Sequence, residues 1–230
     1  MIDQLKTNLA AVDDRISTAA RKCGRTPESV RLIGVTKYVD AATTSALVEA
    51  GCNNLGENRP QALWDKAQSL AALDVEWHMI GHLQRNKVKR TVECSSLIHS
   101  IDSQRLLKAV EAAALDAGRS VDVLLEVNVS GESAKHGFAP EELPAALDFV
   151  ADLKHVSVKG MMCMAGLIGD TDDARREFAM LNSLKSKHQD NTPDNVDLKE
   201  LSMGMSGDFE IAIEEGATMV RVGSLLFEGV

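Results

Sequence analysis

Near its C-terminal end the chain reads Leu201-Ser202-Met203-Gly204-Met205-Ser206-Gly207-Asp208-Phe209, and shortly afterwards Val220-Arg221-Val222-Gly223-Ser224. Both stretches are apolar runs that end in small and hydroxylated residues. Glycine lets backbone N–H groups approach an anion closely, and serine adds a hydroxyl donor. Turns between strands and helices explain one such stretch equally well, but the occurrence of two favours a phosphate site at the ends of two buried strands.

Strand-like and helix-like stretches alternate along the rest of the chain, and this alternation decides the fold class. The predicted strands cover residues 30–37, 53–56, 75–81, 96–101, 121–129, 156–164, 198–205 and 219–224. Helical patterns of about ten to eighteen residues lie between them, as in βαβ units of a parallel sheet. An amphipathic helix with apolar side chains from Ile2 to Ile16 precedes the first strand.

Strict alternation of strands and helices favours an α/β fold: a single (β/α)8 TIM barrel over residues 1–230, with an extra N-terminal helix. A doubly wound open sheet is the alternative. No Gly-x-Gly-x-x-Gly follows the first strand, which disfavours the dinucleotide-binding form of that sheet. TIM barrels commonly bind phosphate after strands seven and eight, where the two stretches lie. Asp208 and Glu210 would repel a phosphate there, so their side chains are expected to point away.

The composition limits the classes of function. A net charge of −9 disfavours binding to nucleic acid or to an anionic membrane. We find neither an apolar run that could span a bilayer nor a signal peptide at the N-terminus, so we expect a cytoplasmic protein without membrane contact. The four cysteines show no Cys-x-x-Cys spacing, which is typical of free thiols in a reducing compartment. A monomer is the expected state.

Two cations follow or interrupt predicted strands. Lys37 ends the first strand, and a desolvated lysine amine can form a Schiff base with an aldehyde. A lysine that reaches solvent at the barrel rim is the alternative. Arg221 has the same strand parity as Gly223, so the two positions face one way. An inward guanidinium requires an acceptor, and a pyridine nitrogen is a suitable one. Together with the phosphate site, these residues indicate pyridoxal 5′-phosphate.

Further polar residues are expected around the barrel mouth. Asn58 follows the second strand and can lie over a ligand, although turn formation explains an asparagine there equally well. His78 and His82 lie in a strand-and-turn pattern without a third metal ligand, so we interpret them as loop histidines at the mouth. The basic residues 85–90 are expected on a solvated helix face. Residues 130–137 form a polar loop on the functional face.

The chain resembles the YggS/PROSC-type pyridoxal phosphate homeostasis proteins, relatives of the barrel domain of alanine racemase. The similarity runs nearly end to end and rests on residues 34–37, 55–58, 77–84, 99–102, 128–132, 201–206 and 220–224. It implies a fold-type III pyridoxal phosphate (PLP) barrel with Lys37 as the Schiff-base lysine and Arg221 facing the pyridine nitrogen. With the residue patterns above, the predicted cofactor-binding set, which contains no metal ligand, is Lys37, Asn58, His82, Ser202, Met203, Gly204, Ser206, Arg221, Gly223 and Ser224.

The resemblance also implies a function. It indicates a protein that buffers PLP or delivers it to PLP-dependent apoenzymes, without established catalysis. An amino-acid racemase is the alternative, and two-base racemisation needs a second proton carrier opposite the lysine. The chain's one tyrosine, Tyr38, adjoins Lys37 and is expected to point the opposite way along the strand. A histidine can substitute for it. A phosphosugar barrel enzyme, the third interpretation, leaves Lys37 unexplained.

Overall fold

Eight parallel strands close into a barrel in their order along the chain. The computed structural model describes residues 1–132, 134–166 and 171–230, with only the backbone at position 191. The strands are β1 (Arg31–Val35), β2 (Asn54–Glu57), β3 (Glu76–Met79), β4 (Leu97–Ile101), β5 (Val121–Glu126), β6 (Val156–Met162), β7 (Val196–Met205) and β8 (Met219–Val222). β1 pairs with both β2 and β8. The predicted (β/α)8 barrel is therefore confirmed, and the open sheet is excluded.

A ring of α-helices surrounds the barrel. In the described part of the chain these are α1 (Ile2–Lys22), α2 (Ala41–Glu49), α3 (Pro60–Ser69), α4 (Val88–Cys94), α5 (Gln104–Ala117), α6 (Leu143–Val150), α7 (Thr171–His188) and α8 (Phe209–Glu214). β8 is followed by a short 3-10 helix, Ser224–Phe227, instead of an α-helix. The helix α1 packs against α2, α8 and this 3-10 helix. The predicted N-terminal helix therefore takes the place of the eighth barrel helix.

The amphipathic pattern of α1 explains its position. Its buried face includes Leu5 and Ile16, and apolar burial of this kind stabilises by about 25 cal/mol per Å². Its polar face makes specific contacts: the Asn8 amide donates to the Leu226 carbonyl oxygen at 3.0 Å, and Arg15 pairs with Glu210 on α8. The N-terminal helix is thus joined to the segment that follows the last strand.

Side chains fill the interior of the barrel, and a larger apolar core lies between the sheet and the helices. The inner layer consists of Ile33, Leu97, Leu124, Met162 and Met219, all buried. Because successive strand residues face opposite sides, their neighbours in sequence contribute to the outer core instead. A filled barrel leaves its two mouths as places for a ligand.

The first strand is shorter than predicted, and this changes the geometry around Lys37. β1 ends at Val35, and the N–H of Val39 donates to the carbonyl oxygen of Thr36 at 3.1 Å, which closes a turn. The prediction that Tyr38 points away from Lys37 is therefore wrong. Tyr38 is 88% exposed, and the Lys37 Nζ lies 4.9 Å from the centroid of its ring.

The structure also bears on the membrane and disulfide predictions. In the described ranges, every helix is too short or too polar to cross a bilayer. The thiols of Cys23, Cys52, Cys94 and Cys163 are all free. Burial raises the pKa of the Cys52 and Cys163 thiols to about 12, so both behave as small apolar core residues.

Candidate ligand-binding site

A cavity of about 670 Å³ opens at the C-terminal ends of the strands, which is the functional face of a TIM barrel. Its volume is within the range of small-molecule sites. The predicted residues that line it are Lys37, Asn58, His82, Ser206, Arg221, Gly223 and Ser224. The lining does not include Ser202, Met203 or Gly204, which lie in β7 behind the cavity wall.

A second cavity of about 440 Å³ lies at the opposite mouth, among the N-terminal ends of the strands. The cations that line it are paired with acidic residues: Arg31 lies 3.6 Å from Glu200, Lys159 lies 3.5 Å from Asp122, and Lys199 lies 2.7 Å from Asp197. Cations that have acidic partners are poor anion ligands. The cavity at the C-terminal ends is therefore the candidate site.

The two serine- and glycine-rich stretches meet in this cavity, as the sequence predicts. The N–H of Gly223 donates to Ser206 Oγ at 3.2 Å and so connects the loops after β7 and β8. Asp208 accepts a hydrogen bond from the N–H of Met205 at 2.5 Å, and Glu210 pairs with an arginine on α1. Both acidic side chains are thus engaged elsewhere, which agrees with the expectation that they point away.

Lys37 lies in the turn after β1, beside the last strand. The pairing of β1 with β8 extends to Gly34 and Val222, so the turn after β1 neighbours the loop after β8. Lys37 is exposed and lines the cavity. The sequence allowed two interpretations of Lys37: a lysine at the solvent-exposed barrel rim, or an amine beside the serine- and glycine-rich stretches. Both describe the position that Lys37 occupies. An amine that is open to a ligand has been placed next to hydroxyl and amide donors.

Arg221 is the buried cation of the site. It is 4% exposed, and its Nη1 and Nη2 groups donate to Ser202 Oγ at 2.6 Å and to the Cys163 carbonyl oxygen at 2.9 Å. The side chain therefore faces the barrel interior, a direction that the shared parity with Gly223 had left open. Burial lowers the pKa of the guanidinium, yet arginine remains charged in proteins. Two of its N–H groups are used, and others are available to the cavity.

A chain of hydrogen bonds extends from Arg221 across the interior of the barrel. Ser202 Oγ lies 2.9 Å from His99 Nδ1, His99 Nε2 lies 2.9 Å from His78 Nδ1, and His78 Nε2 lies 3.3 Å from Asn54 Oδ1. The interpretation of His78 as a loop histidine at the cavity mouth is therefore wrong. It lies within β3, where its position in the strand directs it into the barrel.

His78 and His99, the two histidines in this chain of hydrogen bonds, are neutral. Burial lowers the pKa of His78 to about 3, and the charge of Arg31 adds to the effect. Burial also lowers the pKa of His99 well below its usual value, with a smaller contribution from Arg221. Since a neutral imidazole has one donor and one acceptor nitrogen, each ring can join exactly two partners in a line.

Glu126 is a site residue that the sequence analysis missed. It ends β5, lines the cavity and is buried. Its pKa is raised to about 7, chiefly by burial and also by the charge of Asp102, while the charge of Arg221 opposes both effects. The available signal was an acidic residue at the end of a strand whose other residues are mostly apolar, because a buried carboxyl group is costly without a role.

His82 and His136 lie together at the rim of the cavity. His82 Nδ1 is 3.1 Å from Asp102 Oδ2, and the two imidazole rings stack with centroids 4.0 Å apart and an interplanar angle of 15°. The three side chains are close enough to share a metal ion. However, a metal binds in the plane of an imidazole ring, and one ion cannot lie in two parallel planes. The arrangement is therefore a pair of stacked rings beside a carboxylate. Of the polar loop at 130–137, Ser133 lies outside the described residues.

The fold and the cavity define a class of protein: a TIM barrel with a lysine after the first strand and serine- and glycine-rich loops after the last two. Comparison with known proteins identifies that class. The sequence profile of the alanine racemase N-terminal domain matches residues 7–229. A pyridoxal phosphate homeostasis protein of Aquifex aeolicus is 41% identical over 95% of both chains, and that of Pseudomonas aeruginosa is 37% identical over 96% of this chain and 93% of its own. The chain belongs to this pyridoxal phosphate homeostasis family.

Solved structures agree with this assignment. PipY of Synechococcus elongatus, determined with PLP bound, superposes with a TM-score of 0.85 at 35% identity, and covers 97% of this chain and 99% of its own. Alanine racemase of Clostridium difficile in complex with cycloserine has a TM-score of 0.73 at 16% identity, over 98% of this chain and 59% of its own. The racemase similarity shows a shared barrel fold.

Proposed function

We propose that this protein binds pyridoxal 5′-phosphate as a Schiff base on Lys37 and serves to buffer or deliver the cofactor. The observation that carries the proposal is that Lys37, Arg221 and the Ser206–Gly223 pair line one cavity. The names of the relatives and the PLP bound to PipY support it. We further propose that the protein acts in the cytoplasm as a monomer and that PLP-dependent apoenzymes receive the cofactor.

The cavity residues suit each part of the cofactor. Ser206, Ser224 and the N–H groups around Gly223 are donors for the phosphate. The cofactor supplies an aldehyde, which condenses with the Lys37 amine: a carbon–nitrogen double bond forms and water leaves. Asn58 and His82 line the same cavity and can contact the ring. Ser202, Met203 and Gly204 then contribute from behind the wall, Ser202 through its bond to Arg221.

The role of Arg221 favours holding the cofactor over using it. A guanidinium that donates to the pyridine nitrogen does not give up its proton, so the ring nitrogen stays largely unprotonated. An unprotonated pyridine is a weaker electron sink for amino-acid chemistry. Because Ser202 and the Cys163 carbonyl hold the guanidinium from behind, its charge is fixed in place before any ligand enters.

Racemisation is the competing function, and the geometry around Lys37 bears on it. Tyr38 lines the cavity next to the Lys37 amine and is 88% exposed, so it lies beside the lysine and not opposite it. His82, 3.1 Å from Asp102, and His136 are cavity histidines that could replace it. Incubation with L- and D-amino acids in deuterated water distinguishes the two functions. A PLP carrier leaves the α-proton unexchanged, whereas turnover at enzyme-like rates would establish the racemase.

An absorbance spectrum tests the proposed Schiff base. The purified protein mixed with PLP is expected to show a band near about 420 nm that borohydride removes while fixing the cofactor to Lys37. Lys37→Ala is expected to lose both the band and the covalent label, which mass spectrometry of the digested protein would locate.

A matched lysine variant controls for nonspecific labelling. Lys199→Ala removes a lysine at the opposite mouth, where it pairs with Asp197, and is expected to keep the band. A wild-type protein that stays colourless with excess PLP would contradict the proposed Schiff base. A covalent label that persists in Lys37→Ala after borohydride treatment would contradict it as well.

A further inference from the structure

A buried ion pair lies directly behind the turn that carries Lys37. The Nζ of Lys66 in α3 is 2.6 Å from Oε1 of Glu57 at the end of β2. Both residues are buried, and the side chain of Glu57 is fully inaccessible. Buried ion pairs contribute little net stability, because the desolvation of two charges offsets their attraction. The pair therefore calls for an explanation other than stability.

The contacts of the pair lead to the backbone of the Lys37 turn. Lys66 Nζ donates to the carbonyl oxygen of Thr36 at 2.7 Å, and the Thr36 hydroxyl donates to Glu57 Oε1 at 2.6 Å. The same Thr36 carbonyl accepts the N–H of Val39, the bond that closes the turn. The hydroxyl and the carbonyl oxygen of the residue before Lys37 are thus both held by one ion pair.

Strand alternation explains why these groups can act on Lys37 without entering the cavity. Thr36 and Glu57 face the helix layer, while Lys37 and Asn58, the next residue in each case, line the cavity. The N–H of Thr36 also donates to the Gly56 carbonyl at 3.1 Å, which continues the pairing of β1 with β2. The ends of β1 and β2 are therefore joined to each other and to α3 behind the ligand.

We propose that the Glu57–Lys66 pair is a positioning device that fixes the Lys37 turn so that its amine meets the aldehyde of a phosphate-anchored ligand. This inference rests on the proposed Schiff base. Condensation with a bound aldehyde depends on the placement of the amine, whereas binding of the phosphate depends on loops on the other side of the cavity. The device therefore sets the rate of covalent capture and leaves phosphate recognition to the loops after β7 and β8.

Two variants test the device. Lys66→Met keeps the length of the side chain and removes the donor to Thr36. Thr36→Val is nearly isosteric, keeps both charges and removes the hydroxyl that donates to Glu57. Each is expected to lower the rate of PLP capture at saturating PLP, followed by the band near about 420 nm, by about tenfold for Lys66→Met and less for Thr36→Val.

A second probe separates positioning from general damage. Pyridoxine 5′-phosphate has a hydroxymethyl group in place of the aldehyde, so it reports on phosphate and ring binding alone. Its Kd is expected to stay within about twofold of wild type in both variants. Hydrogen exchange of the Val39 amide in the ligand-free protein is expected to accelerate in Lys66→Met, because the carbonyl that accepts it loses its second donor.

Thr91→Val is the matched control, since Thr91 is a buried threonine whose hydroxyl bonds within α4 and to Trp64, away from the cavity. Its capture rate is expected to equal that of wild type. PLP capture at the wild-type rate in both Thr36→Val and Lys66→Met would contradict the positioning role of the Glu57–Lys66 pair. A loss of pyridoxine 5′-phosphate binding as large as the loss of capture rate would contradict it too. If Lys66→Met does not fold, Thr36→Val decides. A wild-type protein that captures no PLP instead refutes the Schiff base itself.

Discussion

The guanidinium of Arg221 donates to the hydroxyl of Ser202 over 2.6 Å, and this bond fixes the direction of a chain of hydrogen bonds at one of its two ends. Arginine has no acceptor, so Ser202 accepts from it, and at the other end of the chain the Asn54 oxygen can only accept. With neutral imidazoles between them, Ser202 donates to His99, His99 donates to His78, and His78 donates to Asn54. The two ends of the chain together thus assign the tautomers of two buried histidines.

Removal of the Ser202 hydroxyl breaks this chain at its first link. Ser202→Ala leaves an N–H of Arg221 and the Nδ1 of His99 without their partner in a buried environment. We expect a loss of about 1–3 kcal/mol in the free energy of unfolding, measured by urea denaturation. Ser96→Ala, at the opposite mouth, is the control. Equal stability of Ser202→Ala and wild type would contradict the assigned network.

The neutral histidines predict a loss of stability in acid. The unfolded protein binds protons at His78 below about pH 6.5, whereas in the folded protein its pKa is about 3. The unfolded state therefore gains protons first, and stability falls as the pH drops from 6.5 towards 3. His78→Gln is expected to reduce the loss between about pH 7.5 and pH 5 by about 2 kcal/mol. An unchanged slope in chemical denaturation would argue against a buried neutral His78.

Glu126 predicts the opposite dependence. Its pKa is about 7 in the folded protein against a usual value of 4.5, so the folded state binds the extra proton and stability falls as the pH rises between these values. Glu126→Gln mimics the neutral form. It is expected to raise the melting temperature of the ligand-free protein at about pH 8 and to change it little at about pH 5. Equal effects at both values would show that packing, and not charge, dominates.

Gly204, near the end of β7, and Gly207, just after that strand, provide a matched pair of glycines. Gly204 has φ +88°, and a Cβ atom there would lie 2.6 Å from the Cβ of Ala212, whereas a Cβ at Gly207 would meet nothing within 4 Å. Gly204→Ala is expected to lose more than about 2 kcal/mol of stability through strain and overlap. Gly207→Ala is expected to lose less than about 1 kcal/mol. Thermal unfolding of both variants gives the comparison, and similar losses would refute the role of the backbone conformation.

The sequence predicted the features that depend on local pattern. All eight strands occur where apolar runs alternate with helical periodicity, and the lysine and phosphate loops lie at the expected strand ends. Strand boundaries were less accurate, because a turn such as the one closed by Val39 depends on a single hydrogen bond. Such a bond leaves no periodic signal.

The features that were missed depend on distant partners. His78 and His99 are consecutive members of one network but belong to different strands, and only the barrel register brings them to 2.9 Å. The Glu57–Lys66 pair likewise joins a strand end to the buried face of a helix. A histidine or glutamate in a strand is visible in the sequence, whereas its acceptor is defined by tertiary packing.

The pairing of β1 with β8 has a consequence for when the protein becomes functional during its synthesis. The ribosome makes Lys37 early and Gly223 near the end, so a nascent chain exposes the reactive amine long before the loops that would anchor a phosphate beside it. A barrel that lacks its last strand has Lys37 without the loop of Gly223 and Ser224 beside it. The proposed PLP site is therefore assembled only when the barrel closes.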